Sequence, residues 1–188
     1  MIARSILLAS ASPRRRDLLL EHGYTVEIKP ADIEELMPDY LTVGETTLFN
    51  AQLKARAVAF TEPKSLILAA DTLVAIEGRI LGKPRDLEEA FKMLSLLNGK
   101  THQVFSGVCL FCTGIRKICS FIEVSHVTFR WLTPVEIHEY MRRIGPLDKA
   151  GGYAAQQNEM NLITSIEGSP SNVVGLPMEK LAQAFQYF

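Results

Sequence analysis

The chain has 188 residues, of which 47% are hydrophobic and 22% are charged, and its formal net charge at pH 7 is −1. This composition is typical of a globular protein, and the length suits a single domain with one hydrophobic core. The near-neutral balance excludes a global electrostatic field that would draw the chain to nucleic acid or to a membrane surface. No apolar run approaches the ~18 residues that span a bilayer, and no signal-peptide pattern opens the sequence, so we expect a cytoplasmic protein.

The three cysteines argue against a disulfide scaffold. Cys109 and Cys112 have the spacing of some metal and redox motifs, but they lie in an apolar strand-like segment and no second pair completes a zinc site. We therefore interpret both as buried packing residues.

A strand, a tight turn and a helix are predicted near the start of the chain. Residues 6–9 form a short apolar run, Ser12 and Pro13 suit the first positions of a helix, and Gly23 suits the position just past its end. Three arginines, at 14–16, then fall where the helix dipole favours acidic side chains. A bound anion would explain them, and so would a solvated helix face. The sequence contains no Walker A loop and no G-x-G-x-x-G motif.

The next segment contains an acidic loop and a long helix. Residues 25–29 alternate like a strand, and the loop that follows carries Glu34 and Glu35, which are read locally as solvated charges. Apolar residues at helical spacing predict a helix over residues 46–60. Lys54 lies on this helix, where its simplest local interpretation is again a solvated charge.

An unbroken apolar run at 65–70 predicts a strand that is covered on both faces and that ends at Asp71 and Thr72. A carboxylate at that position is a candidate functional group, because ligands of α/β proteins meet the strand ends; a turn-capping role is the alternative. Glu77 and Gly78 then predict a hairpin turn, and a basic loop that contains Lys83 follows it.

The second half of the chain is predicted to contain further helices and strands. Helix starts are indicated at Asp86, Thr133 and Met178, and strands at residues 103–112, 116–129 and 162–166. Trp131 is expected to pack beneath the second of these helices. His102 and His126 have no ligand or triad spacing, so we interpret both as structural.

Residues 145–158 read GPLDKAGGYAAQQN, and their glycines and small polar side chains favour a shaped loop over a regular element. No composition shift or linker divides the chain, so one domain over residues 1–188 is predicted.

Six segments together resemble the Maf family of nucleoside triphosphate pyrophosphatases. They read SASPRRRDLL, LKARA, AADTLV, ILGKPRD, DKAGGYAAQ and NVVGLP. The resemblance implies an α/β fold with an elongated mixed β-sheet flanked by helices, and two lobes around a central cleft. It also implies a homodimer and the family branch that hydrolyses dTTP and UTP to the monophosphate and pyrophosphate, as a nucleotide diphosphatase.

The resemblance also implies roles for residues at the motif positions. Asp71 would be the catalytic proton acceptor, and Glu35 would lie near the catalytic water or metal. The implied phosphate-binding residues are Ser10, Arg15, Lys54 and Lys83. The implied base-selecting residues are Arg14, Thr72 and Gln156.

Three positions depart from the pattern of the family. An acidic residue is missing before Pro146, Gln157 replaces a glycine after the base-selecting glutamine, and Pro170 stands where tyrosine is common. These changes fall in loops implied to contact the base or frame the cleft, so substrate preference is the part of the inference that they affect.

The residue types suit the implied reaction. Water attack on the α-phosphorus needs cations to neutralise the leaving pyrophosphate, and Mg²⁺ or Mn²⁺ is expected to be bound by one or two carboxylates, Asp71 and Glu35. No cysteine or serine has an evident histidine partner, which disfavours a covalent route. Two alternatives stay open: a pyrophosphatase for another noncanonical nucleotide, and a non-catalytic nucleotide-binding regulator of septum formation.

Overall fold

The protein contains one mixed β-sheet, described by a computed structural model over residues 5–156 and 158–188. The strands are β1 (Ser5–Leu8), β2 (Thr25–Ile28), β3 (Leu66–Ile76), β4 (Arg79–Leu81), β5 (Thr101–Cys112), β6 (Lys117–Phe129) and β7 (Ile163–Glu167). Their order is β2-β1-β3-β5-β6-β7, and β4 pairs with β3. Strand β1 is parallel to β2 and β3, whereas β3–β4 and β6–β7 are antiparallel. The mixed α/β sheet is thereby confirmed.

Helices connect these strands. They are α1 (Pro13–Glu21), α2 (Val43–Thr61), α3 (Leu87–Leu97), α4 (Pro134–Ile144), α5 (Pro170–Val174) and α6 (Met178–Phe185). In the loop expected at residues 145–158, the described residues 145–156 and 158 are irregular, with short 3-10 turns at Pro146–Asp148 and Ala150–Gly152. Within the described residues, no helix combines the length and apolar character that a bilayer crossing requires.

The chain divides into two compact units. The first contains the residues up to Asp71 together with Ser106–Glu123 and Gly175–Phe188, and the second contains Thr72–Phe105 and Val124–Val174. Strands β3, β5 and β6 each contribute residues to both units. Each unit is described by itself.

The core of the first unit is formed by α2 and the strands beneath it. Its buried side chains are Leu7, Ala9, Ala51, Ala55, Val58, Ala59, Ile67, Ala69 and Cys109. The alanines of α2 let the helix backbone lie very close to β5. A Cβ atom added at Gly107 would lie 2.3 Å from the carbonyl carbon of Thr47, so only glycine fits beneath this helix.

The core of the second unit packs α3 and α4 against the sheet and the 145–158 loop. Tyr140 on α4 accepts a hydrogen bond from the Ala154 N–H at 3.1 Å. His102 on β5 lies 3.0 Å from the Tyr153 hydroxyl and contacts the ring of Phe129 edge-on. Buried polar contacts thus attach the irregular loop to regular elements.

Helix α2 begins three residues before its predicted start at residue 46. Thr42 is the N-cap, and its side chain and that of Glu45 form a reciprocal capping box. The prediction was wrong because the apolar periodicity starts later than the cap. The capping-box spacing was the signal that could have found the start.

Trp131 does not pack beneath α4, contrary to the prediction, because it is 65% exposed. Its neighbours Phe129 and Leu132 are the buried side chains at this point. The Leu132 N–H donates to Asn98 Oδ1 and the Leu132 carbonyl accepts from Asn98 Nδ2, which turns the backbone so that Leu132 faces inward.

Candidate active site

Asp71 lies inside β3 and not at its end, so the predicted strand boundary was wrong. The strand continues to Ile76, and its last part pairs with β4. The last pair between β1 and β3, however, joins Leu8 to Leu68. Asp71 is therefore three residues past the carboxyl end of β1, where β3 has lost that neighbour. Asp71 thus has the rigid backbone of a strand residue, and it lies in a part of β3 that does not pair with β1.

One ammonium group lies between two carboxylates at this edge. Lys54 Nζ is 2.8 Å from Asp71 Oδ1 and 2.5 Å from Glu35 Oε1. The Lys54 and Asp71 side chains are only 10% and 7% exposed, whereas Glu35 is 46% exposed. Lys54 is thus not the solvated charge of the local interpretation. Removing either member of the buried pair would leave an uncompensated charge in the protein interior.

Arg15 is held beside this cluster by neutral acceptors. Its Nε donates to the Gly175 carbonyl at 2.9 Å, and its Nη1 donates to Ser10 Oγ at 3.0 Å. Burial lowers the pKa of Arg15, while the negative charges of Asp71 and Glu35 act in the opposite direction. A guanidinium starts from so high a pKa that it stays charged near neutral pH.

The first turn of α1 is basic in the structure as in the sequence. Ser12 is the N-cap, but its side chain makes no capping hydrogen bond, and the first turn contains no acidic residue. The Ser12 N–H donates instead to Ser10 Oγ, at 3.2 Å. Arg14 is half-buried in this turn, and its charge contributes to the lowered pKa of Arg15. Backbone donors and two guanidinium groups therefore share this corner of the first unit.

Asn50 is a site residue that the sequence analysis missed. It is fully buried on α2, and its Nδ2 donates to Asp71 Oδ2 at 3.3 Å. The available signal was a polar residue four positions before Lys54, since residues four apart share one helix face.

The remaining predicted site residues belong to the second unit. Thr72 follows Asp71 on β3, and successive side chains of a strand point to opposite faces. Lys83 is exposed in the loop after β4, and Gln156 is exposed in a turn of the 145–158 loop. The Gly151 N–H donates to the Gly82 carbonyl at 3.0 Å, which ties these two loops together. Gln157 lies outside the described residues, and Pro170 is exposed at the start of α5.

Asp71 and Glu35 fit the predicted divalent metal in their chemistry. Each directs one carboxylate oxygen at the position of the Lys54 ammonium. Within residues 5–156 and 158–188, no group of three or more His, Cys, Asp or Glu side chains forms a fuller metal cage. A pair of oxygen ligands suits Mg²⁺, which is commonly held by one or two carboxylates together with substrate phosphates and water.

Comparison with known proteins identifies the family. A family model described as Maf-like protein matches residues 5–188. The chain belongs to the Maf family. Its Maf relatives include a Desulforamulus reducens protein that is 42% identical over 187 residues, covering 98% of this chain and 97% of the relative. A Pelotomaculum thermopropionicum protein is 42% identical and a Bacillus anthracis protein is 41% identical, each over 185 residues that cover 98% of this chain and 97% and 96% of the relative. All three relatives are named dTTP/UTP pyrophosphatase.

Two solved structures share the fold of this Maf family member at low sequence identity. The Ham1 protein of Staphylococcus aureus aligns with a TM-score of 0.53 and 16% identity, covering 98% of each chain. The HAM1 protein of Coxiella burnetii gives the same TM-score and 15% identity, covering 98% of this chain and 100% of the other. These two likenesses concern the fold alone.

Proposed function

We propose that this protein is a nucleoside triphosphate pyrophosphatase that hydrolyses dTTP and UTP to the nucleoside monophosphate and pyrophosphate. The observation that carries the proposal is the buried Asp71 carboxylate, which contacts Lys54 at 2.8 Å and lies in the electrostatic field of Arg15. Relatives of about 40% identity over nearly the whole chain supply the substrate class by their names.

In the proposed reaction, the oxygen of a water molecule bonds to the α-phosphorus while the bond from that phosphorus to the bridging oxygen breaks. The electron pair of the broken bond leaves with pyrophosphate, and the proton of the water passes to the Asp71 carboxylate. Asp71 is suited to this role because it lies on a strand and its Oδ2 accepts a hydrogen bond from the buried Asn50 amide. Fixed orientation is what general-base catalysis requires.

The cations of the first unit are proposed to bind the triphosphate. Arg15 has the planar fork that matches phosphate oxygens, and Ser10 holds that fork in place through its hydroxyl. Lys54 is proposed to move from the carboxylates to a phosphate oxygen as substrate binds, because the more numerous phosphate charges compete for the same ammonium. The positive charges of Arg15 and Lys54 would neutralise the leaving pyrophosphate.

Asp71 and Glu35 are the residues that would hold Mg²⁺ or Mn²⁺. Such an ion, when bound, lowers the pKa of a coordinated water and neutralises phosphate charge. Glu35 is suited to share an ion with substrate because its side chain is about half exposed and belongs to a loop.

The discrimination of bases stays a prediction from the family resemblance. An amide at Gln156 can both donate and accept, and Arg14 can donate, which matches the carbonyl oxygens of uracil and thymine. A site built on such bonds rejects an analogue that leaves its polar groups unpaired. The roles of Thr72 and Lys83, the single domain over residues 1–188 and the predicted cleft likewise stay predictions. We also propose, on the resemblance alone, that the protein acts in the cytoplasm as a homodimer, and sedimentation equilibrium would measure its mass.

The test is pyrophosphate release with Mg²⁺ or Mn²⁺ and a panel of dTTP, UTP, CTP, GTP, ITP and methylated GTP. We expect selective turnover of dTTP and UTP, and Asp71→Asn is expected to lose roughly 10²–10⁴ in rate, the usual scale for a lost general base. Glu35→Gln is expected to lose activity, whereas the matched control Glu34→Gln, on an exposed neighbour, is expected to keep it.

The panel also separates the alternatives. Turnover of a different nucleotide would keep the mechanism and reassign the substrate. Nucleotide binding without any turnover would overturn the enzyme proposal and favour a regulator. Near-normal turnover by Asp71→Asn would remove Asp71 from its proposed role.

A further inference from the structure

Asn50 makes three hydrogen bonds within the site. Its Oδ1 accepts from the Leu36 N–H at 2.9 Å, and its Nδ2 donates to the Leu36 carbonyl at 3.0 Å and to Asp71 Oδ2 at 3.3 Å. Its side chain is 0% exposed, so water does not compete for these bonds. A buried amide with one acceptor and two donor bonds satisfied is a fixed structural connection.

The orientation of this amide is determined by its neighbours. The Leu36 N–H can only donate and the Leu36 carbonyl can only accept, so Oδ1 must face the former and Nδ2 the latter. The group that meets Asp71 is therefore an N–H. Reversing the amide would place Nδ2 against the Leu36 N–H, donor against donor. It would also place Oδ1 against the Leu36 carbonyl and Asp71 Oδ2, acceptor against acceptor.

Asn50 thereby connects the loop that carries Glu35 to the strand that carries Asp71. Leu36 is the residue directly after Glu35, and its side chain is 42% exposed, so the amide bonds hold its backbone where burial of the side chain does little. Lys54, one helical turn further along α2, joins the same loop and the same strand through the two carboxylates.

The two connections differ in what substrate does to them. The Lys54 connection is ionic, and a triphosphate competes for its ammonium. The Asn50 side chain carries no charge and bonds to the backbone of the loop, so no phosphate charge competes for it. When Lys54 turns to a phosphate, the two carboxylates lose the ammonium that contacts both of them and repel each other more strongly, and the connection through Asn50 persists.

We propose that Asn50 is a positioning residue that keeps the Glu35 loop fixed relative to Asp71 once Lys54 has engaged the triphosphate. The inference rests on the proposed function for its catalytic part, whereas the loop attachment itself does not depend on any substrate. Positioning groups of this kind, which hold a metal or catalytic ligand from behind, typically contribute 10- to 100-fold to activity or metal affinity.

The experiment compares Asn50→Leu with Thr47→Val. Asn50→Leu keeps the number and branching of the side-chain heavy atoms and removes all three bonds. Thr47→Val is the matched control, because it removes a buried hydroxyl bond, to the Gly44 carbonyl, from the same helix without touching a site residue. We expect Asn50→Leu to lower kcat about 10- to 100-fold and to raise the Mg²⁺ concentration for half-maximal activity by a similar factor. The KM for nucleotide should change little, because Arg15 and Lys54 are retained.

A second measurement reports on the loop without substrate. Amide hydrogen exchange at Leu36 is expected to accelerate in Asn50→Leu and to stay slow in Thr47→Val, because the Leu36 N–H donates to Asn50. If Asn50→Leu fails to fold, Asn50→Ser takes its place, since its short hydroxyl cannot span the loop and Asp71 together.

The outcomes separate the two proposals. Unchanged Leu36 exchange in a folded Asn50 variant overturns the attachment, and a wild-type kcat and Mg²⁺ dependence overturn the positioning role. If the wild-type protein hydrolyses no nucleotide, the proposed function fails and the positioning role fails with it, while the exchange data still decide whether Asn50 holds the loop.

Discussion

The ammonium group of Lys54 compensates two carboxylates at once, and it lies where water cannot replace it. Its Nζ contacts Asp71 Oδ1 at 2.8 Å, and both side chains are nearly buried. The surface pair of Lys29 and Glu62 has an even shorter separation of 2.6 Å, but both of those side chains are about 40% exposed. The Lys54–Asp71 pair is therefore expected to contribute more to the free energy of unfolding than the Lys29–Glu62 pair, because it is buried, although its distance is longer.

Lys54→Met is expected to destabilise the protein by about 3–5 kcal/mol, because the substitution removes the ammonium that contacts the buried Asp71 carboxylate. Lys29→Met is the control, with an expected loss of about 0–1 kcal/mol for an exposed pair. Urea unfolding at pH 7 measures both. Equal losses in the two variants would contradict the argument from burial.

Burial lowers the pKa of His102 to about 4, well below its usual value near 6.5. Between about pH 6.5 and 4 the unfolded chain binds a proton at His102 and the folded protein does not, so the free energy of unfolding decreases as the pH is lowered. It levels off below about pH 4. The loss over this window is about 3 kcal/mol. Urea unfolding from pH 7 to 4 should show a smaller loss in His102→Gln than in the wild type. A wild-type slope in His102→Gln would refute the assignment.

Motif residues could be named from the sequence, but their supports could not. Arg15, Lys54 and Asp71 lie in recognisable segments, and the structure brings their charges together in the first unit. Asn50 has no such segment, because its meaning depends on Leu36 and Asp71, which are distant in sequence and near in space. A polar side chain in an apolar stripe indicates only that some partner exists.

Among the elements, β3 and α2 depart most from their predicted bounds. The sequence predicted the buried part of β3 from its apolar run, but Asp71 reads as an end because an acid is unusual inside a strand. The strand continues through it, since Val74, Ala75 and Ile76 find partners on β4. Pairing between distant residues thus overrides the local signal. Helices α3 and α4, whose N-cap side chains accept backbone hydrogen bonds, begin at their predicted starts, and so does α1 although Ser12 makes no such bond.

The contact between α2 and β5 supplies a test at this scale. Gly107→Ala would place a Cβ atom 2.3 Å from the backbone of α2, so the helix must move or the fold must fail. We expect a loss of at least the 1–3 kcal/mol typical of overpacked cores, with lower activity because α2 carries Lys54. Gly114→Ala is the control, since its nearest neighbour would be at an ordinary 3.4 Å. Thermal unfolding of the two variants compares them, and equal stability would contradict the close approach.

At the scale of the whole molecule, the two units are built from interleaved stretches of chain. The first unit takes three separate segments and the second takes two, with boundaries inside β3, β5 and β6. No shift in composition marks those boundaries, because strands of one sheet have similar sequences on either side of them. The family resemblance therefore predicted a mixed sheet and two lobes, but the sequence does not mark the residues at which the chain divides.

The three free thiols report on the integrity of the whole fold. Cys109 and Cys112 are buried on β5, and burial raises the pKa of the Cys109 thiol to about 12. Cys119 is partly exposed. With a disulfide reagent at pH 8, we expect Cys119 to react first and the other two to react only as the protein unfolds, because the thiolate is the reactive form. Cys119→Ser should remove the fast phase, and three fast thiols in the folded wild type would disprove the burial.

The position of Lys54 between Asp71 and Glu35 also determines how the protein tolerates chelators. In metalloproteins whose acidic ligands have no other counter-charge, stripping the ion often unravels the chain, since binding energy and folding energy are the same quantity. Here Lys54 contacts both acids and the charge of Arg15 also acts on them, so cations of the protein itself balance the two carboxylates. An excess of EDTA should therefore stop catalysis while leaving the melting temperature unchanged. We expect protein refolded in EDTA to regain full activity on addition of Mg²⁺ without a further folding step.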